Sequence, residues 1–251
     1  MGFSSTLLTN RTILITGAGK GIGRECALLA AACGANVIAE ARTETDLVDL
    51  QAASEQQNAT GQIGIWPADI QQAEFLHKVK ALPALHGLIN NVGTNRVALM
   101  QEQPDEDLDA VLDLNLKSLY RTAKAALVPM SRSEQPAIVN MSSQMGFVGS
   151  PKRTLYCMSK HGVEGLTKAM SVELASQHIR VNSVAPTFVL TPLTQPMFEN
   201  PEFKQFVLDM IPMQKLATVE DVANACVFLL SHLSAMVTGT VLKVDGGWTA
   251  R

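Results

Sequence analysis

The sequence predicts an α/β fold, a single domain in which helices cover both faces of a parallel β-sheet. Short runs of β-branched and apolar residues alternate with longer segments of helical pattern. The strand candidates are apolar almost throughout, as expected for strands buried on both faces, and a helix-length segment separates most neighbours. The chain has 251 residues without a repeat or linker, so residues 1–251 are predicted to form one domain.

Seven strands and six helical segments are predicted, each strand from a short apolar run such as TILIT or NVIAEA. The strand candidates are residues 12–16, 36–41, 62–68, 85–93, 137–143, 179–186 and 240–246. The helical segments are residues 21–33, 44–57, 71–80, 104–130, 152–177 and 218–231. Between them, the stretch 186–212 holds five prolines and is predicted to be loop with at most a short helix. Loops of that length usually serve function, so residues 187–212 are the predicted substrate loop.

Composition excludes several classes of function. The net charge is −3, and no basic excess indicates nucleic acid. No apolar stretch is long enough for a membrane span, and the N-terminus lacks the cationic start of a signal peptide. The four cysteines are scattered and the five histidines have no metal-ligand spacing, so no metal site is predicted. A cytoplasmic protein is expected.

A glycine-rich turn joins the first predicted strand to the first predicted helix in TILITGAGKGIGRECALLA. The pattern is T-G-x-x-x-G-x-G, and a Walker A loop is excluded because no Ser or Thr follows Lys20. Glycines allow the backbone to turn tightly and approach a pyrophosphate, whose charge suits the free N–H groups of the next helix. The predicted dinucleotide-binding residues of this turn are Gly17, Gly19, Lys20, Gly21, Ile22 and Gly23.

The end of the second strand should indicate which dinucleotide binds. An acidic residue there would favour NAD through the ribose hydroxyls, whereas an arginine would accommodate the 2′-phosphate of NADP. The strand ends in Ala41, Arg42 and Thr43, and Lys20 can add a second positive charge. NADP(H) is therefore predicted, with NAD(H) as the alternative, because a register slip of one residue would turn Glu40 towards the ribose.

Two tyrosines have a lysine four residues later, which is the spacing of neighbours on one helix face: Tyr156 with Lys160 and Tyr120 with Lys124. A nearby lysine can lower the pKa of a tyrosine and make it an acid/base group. Tyr156 also follows a strand that ends in Ser142 and Ser143, which can polarise a substrate oxygen. No strand end with such hydroxyl groups precedes Tyr120, so Tyr156 is the predicted catalytic tyrosine.

The order of these motifs resembles the short-chain dehydrogenase/reductase family over essentially the whole chain. The matching segments are TGAGKGIG (16–23), DI (69–70), NNVG (90–93), Asn115, SS (142–143), YCMSK (156–160), APT (185–187), Thr191 and VDGG (244–247). The resemblance implies a Rossmann-type, doubly wound sheet of about seven strands and commonly a homotetramer. It also implies a catalytic tetrad of Asn115, Ser143, Tyr156 and Lys160. Ser143 is chosen over Ser142 because of its spacing from the tyrosine along the sequence.

The same resemblance implies further cofactor contacts, at Asp69, Ile70, Asn91, Gly93 and Thr191, and at the catalytic Tyr156 and Lys160. Val92 and Thr187 depart from the family pattern, where alanine and glycine are more usual. The motifs look closest to the carbonyl, xylulose and sugar-alcohol reductases, in which the glycine-loop lysine and the Arg-Thr pair bind NADPH. The expected reaction interconverts a carbonyl (a small ketone, sugar or keto-acid) and a secondary alcohol.

Several residues are expected to line the substrate pocket: Asn95, Arg96, Met145, Arg153 and Leu193. Of the basic residues nearby, Arg96, Lys152 or Arg153 is a candidate for binding an acidic group. Two alternatives stay open. A 3-oxoacyl-carrier-protein reductase shares every motif, although the net charge offers no support for an acidic carrier. A non-catalytic, nucleotide-sensing regulator could use the same fold, although such proteins usually lose the Tyr/Lys pair.

Overall fold

The computed structural model describes residues 2–192 and 194–250, which form one seven-stranded parallel sheet with the order β3-β2-β1-β4-β5-β6-β7. The strands are β1 Thr12–Thr16, β2 Asn36–Ala41, β3 Gln62–Pro67, β4 Gly87–Asn90, β5 Ala137–Met141, β6 Arg180–Pro186 and β7 Val241–Val244. All six pairings between neighbours are parallel. The predicted α/β fold with a doubly wound sheet is confirmed.

In the described part of the chain, eight α-helices surround this sheet. They are α1 Gly21–Ala32, α2 Glu44–Gln56, α3 Ala73–Lys80, α4 Asp105–Leu112, α5 Ser118–Met130, α6 Thr154–Leu174, α7 Pro201–Met210 and α8 Val219–Leu230. The continuous helix predicted over 104–130 is wrong in one respect, since a π-helical turn at Asp113–Lys117 separates α4 from α5. A π-helical turn is wider than an α-helical one but keeps the chain helical, so the hydrophobic pattern did not reveal it.

The two faces of the sheet bury separate hydrophobic cores. Along β1, Ile13 and Ile15 point into the core shared with α1, α2 and α8, whereas Leu14 points into the core shared with α3, α5 and α6. This alternation follows from the period of two in a β-strand. Both cores need apolar residues, and this requirement explains why the strand sequences are apolar almost throughout.

The predicted substrate loop contains more helix than expected. Helix α7 begins at Pro201, where the Asn200 side chain accepts a hydrogen bond from the Phe203 N–H (3.1 Å). A third hydrophobic cluster surrounds Phe188, whose ring lies 5.6–6.1 Å from the rings of Phe198, Phe203 and Trp248. The cluster anchors the loop to the C-terminal end of the described chain.

The strand order reverses between β1 and β4. In open parallel sheets such a switch point leaves a crevice outside the carboxyl ends of the strands, where ligands bind. The glycine turn follows β1, Asn91 follows β4 and Ser143 follows β5. Within the described part of the chain, no helix is long and apolar enough to cross a membrane.

Candidate active site

The glycine turn forms a cradle at the carboxyl end of β1. Gly17 and Gly21 have φ angles of +67° and +57°, in the left-handed region that favours glycine. A methyl group at Gly21 would contact only the side chain of Thr191, at 3.5 Å. No side chain caps the start of α1, so the N–H groups of its first turn remain available to an anion. The residues present therefore fit the pyrophosphate of a dinucleotide.

Asn91 braces this cradle from the neighbouring strand. Its Nδ2 atom donates to the carbonyl oxygens of Thr16 (3.1 Å) and Gly17 (3.2 Å), and its backbone N–H donates to the Thr16 hydroxyl (3.0 Å). Asn91 was predicted to line the cofactor. Its side chain holds the backbone of the cradle, and the cofactor contact itself stays a prediction.

Glu40 lies beneath the glycine turn. Its side chain is only 1% exposed, and its Oε2 atom accepts the Gly17 N–H at 3.1 Å. The pKa of Glu40 is raised to about 7, chiefly by burial and also by the charge of Asp69, whereas the Gly17 N–H and Arg42 oppose the rise. The carboxyl group is thus engaged by the backbone of the turn, which disfavours the alternative in which it faces a ribose.

We expect Glu40 to make the stability of the protein depend on pH. Its pKa rises from an ordinary value of 4.5 to about 7 on folding, so the folded state holds this proton more tightly. The free energy of unfolding should therefore fall as the pH rises from 4.5 to about 7, by up to about 3 kcal/mol. Glu40→Gln should flatten this slope, as measured by urea unfolding at pH 5 and pH 8.

The matched control is Glu44→Gln, which removes an exposed carboxylate from the start of α2. The control should keep the pH slope of the wild-type protein. An unchanged slope in Glu40→Gln would show that Glu40 does not take up the proton.

Further residues predicted to bind the cofactor lie near the ends of β2 and β3. Arg42 and Thr43 are exposed, and Lys20 forms an exposed ion pair with Asp46 (3.2 Å). Such a pair is weak, so Lys20 can exchange Asp46 for a phosphate. The side chain of Ile70 packs into the core near α3, so the predicted cofactor contact at this position would have to come from its backbone.

Three of the four predicted catalytic side chains converge at the end of β5. Ser143 follows this strand, and Tyr156 and Lys160 lie one turn apart on α6, with the Lys160 Nζ atom 5.5 Å from the centre of the Tyr156 ring. Lys160 Nζ donates to the Met141 carbonyl (2.8 Å), and the Ser143 hydroxyl donates to Gln144 Oε1 (2.7 Å). The arrangement places a phenol, a hydroxyl and an ammonium group together.

The fourth predicted residue, Asn115, occupies the π-helical turn. Its Oδ1 atom accepts the Thr94 N–H (2.7 Å), and its Nδ2 atom donates to the Thr94 carbonyl (2.9 Å) and the Ser159 hydroxyl (3.0 Å). Asn115 thus ties the segment after β4 to α6. π-Helical turns are frequent at functional sites, where the extra residue per turn changes the direction of a side chain.

The sequence predicted that Lys160 lowers the pKa of Tyr156, but the net effect of its surroundings is to raise it. Burial raises the pKa of Tyr156, and the Ser143 hydroxyl and the positive charge of Arg153 act in the opposite direction. Burial also lowers the pKa of Lys160 to about 8, against the opposing charge of Glu164. Desolvation of Tyr156 outweighs the opposing effects of Ser143 and Arg153, so Tyr156 remains a protonated phenol at neutral pH.

Tyr120 lies outside this site. It is 48% exposed and borders a surface groove with Leu116, Arg121 and Leu166, while Lys124 is also exposed. The second tyrosine–lysine pair is therefore a feature of the helix surface.

The predicted substrate residues lie in different environments. Met145 is buried, and its N–H donates to the Ser143 hydroxyl (3.2 Å). Asn95 has a buried Oδ1 atom without a hydrogen-bond partner, and Arg153 is buried beside Tyr156. Arg96 is 53% exposed and paired with Asp107 (3.3 Å), so its place in the pocket stays a prediction. Leu193 lies outside the described residues.

Three further buried polar residues adjoin the tetrad, and sequence reasoning missed two of them, Ser159 and Glu164. Gln144 accepts a hydrogen bond from the Ser143 hydroxyl, and Ser159 links Asn115 to α6. Glu164 accepts the Ser183 hydroxyl and lies one turn beyond Lys160. Ser159 stands within the YCMSK motif and Glu164 four residues after Lys160, so spacing could have indicated both.

Comparison with known proteins decides the family. A family model for short-chain alcohol dehydrogenases, described as enoyl-(acyl carrier protein) reductase, matches residues 17–249. The chain belongs to the short-chain dehydrogenase/reductase family. It is an oxidoreductase of that family acting on alcohol or carbonyl groups, and the resemblance seen in the motifs is confirmed.

Three similar proteins illustrate the range within this family. The chain is 37% identical to L-xylulose reductase from Mus musculus, over 97% of this chain and 98% of the relative. It is also 37% identical to a 3-oxoacyl-[acyl-carrier-protein] reductase from Thermotoga maritima, over 96% and 98%. A gluconate 5-dehydrogenase structure from Burkholderia cenocepacia, in complex with NADP and tartrate, has a TM-score of 0.90 at 26% identity, over 99% and 98%.

Proposed function

We propose that this protein uses NADP(H) to interconvert a carbonyl and a secondary alcohol on a small molecule. The observation that carries the proposal is the convergence of Ser143, Tyr156 and Lys160 at the strand ends, beside the glycine cradle. The related gluconate 5-dehydrogenase was solved with NADP, and the exposed Arg42 and Lys20 suit a 2′-phosphate.

The bound nicotinamide would supply or accept the hydride. In reduction, Tyr156 donates its phenolic proton to the substrate oxygen, and its raised pKa keeps that proton available at neutral pH. Ser143 turns its hydroxyl from Gln144 to the same oxygen as charge develops there. In oxidation Tyr156 is the base, so this direction should gain from higher pH.

Lys160 and Asn115 are proposed to support this proton transfer. A methyl group at Gly93 would lie 3.7 Å from Lys160 Nζ and 3.4 Å from Asn115 Oδ1, so the glycine keeps open the space that both groups face. Lys160 can hold the nicotinamide ribose there, with Gly93 and Thr191 bordering the cofactor. Asn115 fixes the walls of this space through Thr94 and Ser159.

The test is an NADPH-oxidation screen over neutral ketones, sugars, keto-acids and a 3-oxoacyl thioester. Turnover of a small carbonyl would support the proposal. Preference for the thioester would favour the carrier-protein reductase activity named for the Thermotoga maritima relative. NADPH binding without turnover of any carbonyl would instead support the nucleotide-sensing alternative.

Arg42→Ala should weaken NADPH binding selectively. Loss of one charge-assisted hydrogen bond to a phosphate corresponds to about 10- to 100-fold in KM for NADPH, with little change for NADH. Steady-state kinetics with both cofactors would measure this ratio. Arg121→Ala, which removes an exposed arginine on α5, is the control and should change neither KM. Equal weakening of NADPH and NADH by Arg42→Ala would refute a phosphate contact.

The homotetramer and the cytoplasmic location predicted from the sequence stay predictions.

A further inference from the structure

The site contains a buried cation that the proposed proton transfer does not require. Arg153 is 6% exposed. Among the described residues, 2–192 and 194–250, its guanidinium has no ion pair and no side-chain hydrogen bond. Most of the side chain is removed from water while its charge has no ion pair among the described residues, so an anion bound to the guanidinium would stabilise this arrangement.

The backbone fixes Arg153 next to the catalytic tyrosine. Arg153 stands immediately before α6, its carbonyl accepts the Cys157 N–H (2.8 Å), and Tyr156 follows three residues later on the same helix. The two side chains influence each other, since the charge of Arg153 lowers the pKa of Tyr156. An anion bound to the guanidinium would thus be held beside the phenol that transfers the proton.

The head group of Arg153 is also open to a ligand. The guanidinium nitrogens are not sealed from solvent. The head group therefore stays accessible, although most of the side chain is covered. The other basic candidates do not share these properties. Arg96 is paired with Asp107, and Lys152 is exposed with φ of +61°.

We propose that Arg153 binds the carboxylate of the substrate, which makes the substrate class small hydroxy- or keto-carboxylates, sugar acids included. A guanidinium presents two parallel N–H donors that match a carboxylate, and binding there would orient the carbonyl towards Tyr156. This inference rests on the proposed function, because it names the substrate class of the same site.

The test compares keto-acids with their uncharged esters. Pyruvate, acetoacetate and levulinate, each against its methyl ester, vary the distance between carbonyl and carboxylate while changing only one charge. The wild-type enzyme should prefer the acid at one chain length. Arg153→Met should lower kcat/KM for that acid by about 30-fold or more, and for its ester by no more than about threefold.

A second readout applies when a neutral ketone is the best substrate found. Acetate and gluconate should then inhibit the wild-type enzyme competitively and leave Arg153→Met unaffected. Lys152→Asn is the control, because it removes the adjacent charge, and asparagine tolerates the positive φ angle. The control should behave like the wild-type protein, and unchanged NADPH binding would show that each variant is folded.

Three outcomes would overturn the proposal, and they are distinguishable. Equal losses for acid and ester, with a shifted pH profile, would make Arg153 a positioning residue that acts on Tyr156. Neither preference for acids nor inhibition by carboxylates in an active enzyme would refute the carboxylate site while leaving the proposed function intact. NADPH binding without turnover of any acid, ester or neutral ketone would reject the proposed function as well.

Discussion

Tyr156→Phe is expected to lower kcat by about 10²- to 10⁴-fold, the range that general acid–base catalysis contributes. The substitution removes only the phenolic oxygen, so the ring keeps its position 5.5 Å from Lys160 Nζ. Cofactor binding should change little, because the substitution leaves the glycine cradle, the ends of β2 and β3, and Lys160 unaltered. Steady-state kinetics with the best carbonyl from the screen, together with NADPH titration, would separate the two effects.

Tyr120→Phe is the matched control for this experiment. It makes the same chemical change at a tyrosine that also precedes a lysine by four residues but lies in a surface groove. Its kcat should stay within about twofold of the wild-type value, as is usual for surface changes. A fully active Tyr156→Phe enzyme would contradict the assignment of Tyr156 as the general acid.

The pH profile adds information that the rate loss alone does not give. Because burial raises the pKa of Tyr156, reduction should proceed at neutral pH, whereas oxidation should accelerate as the solution becomes alkaline. The pKa of Lys160 is lowered to about 8, which lies between neutral and alkaline pH. Deprotonation of Lys160 and of Tyr156 therefore both contribute to the pH profile. Tyr156→Phe should remove the contribution of the phenol from any residual activity.

The parts of the fold that local patterns determine were predictable from the sequence. Along β1, Ile13 and Ile15 face one core and Leu14 faces the other. This alternation requires an apolar strand covered on both sides. The glycine turn was equally clear, because positive φ angles at Gly17 and Gly21 restrict the residue types allowed there.

The rest of the site depends on contacts between distant parts of the chain. Whether Glu40 faces the ribose or the Gly17 N–H depends on how β1 and β2 pair, with Thr16 opposite Glu40 in the register. The π-helical turn at Asn115 is held by Thr94 and Ser159, which lie 21 and 44 residues away. Spacing could place Arg153 near Tyr156, but only packing shows that its side chain is largely covered and, among the described residues, forms no ion pair.

Gly23→Ala is expected to abolish tight NADPH binding, with a loss of affinity of at least about 100-fold. A methyl group at Gly23 would overlap the Gly17 carbonyl oxygen and lie 2.6 Å from Asn91 Nδ2. The carbonyl belongs to the backbone of the cradle, so it cannot move aside without changing the turn that surrounds the pyrophosphate. Overpacking of this kind also costs about 1–3 kcal/mol of stability, which thermal or urea unfolding would measure.

The contrasting variant is Gly165→Ala on α6, where a methyl group would meet no atom within 4 Å. Alanine favours a helix over glycine by about 1 kcal/mol, so this change should stabilise the protein and leave NADPH affinity unaltered. The same chemical change is thus expected to have opposite effects at two helical glycines. If Gly23→Ala bound NADPH as tightly as the wild-type protein, the close contact between Gly23 and the Gly17 carbonyl would not be what shapes the cofactor site.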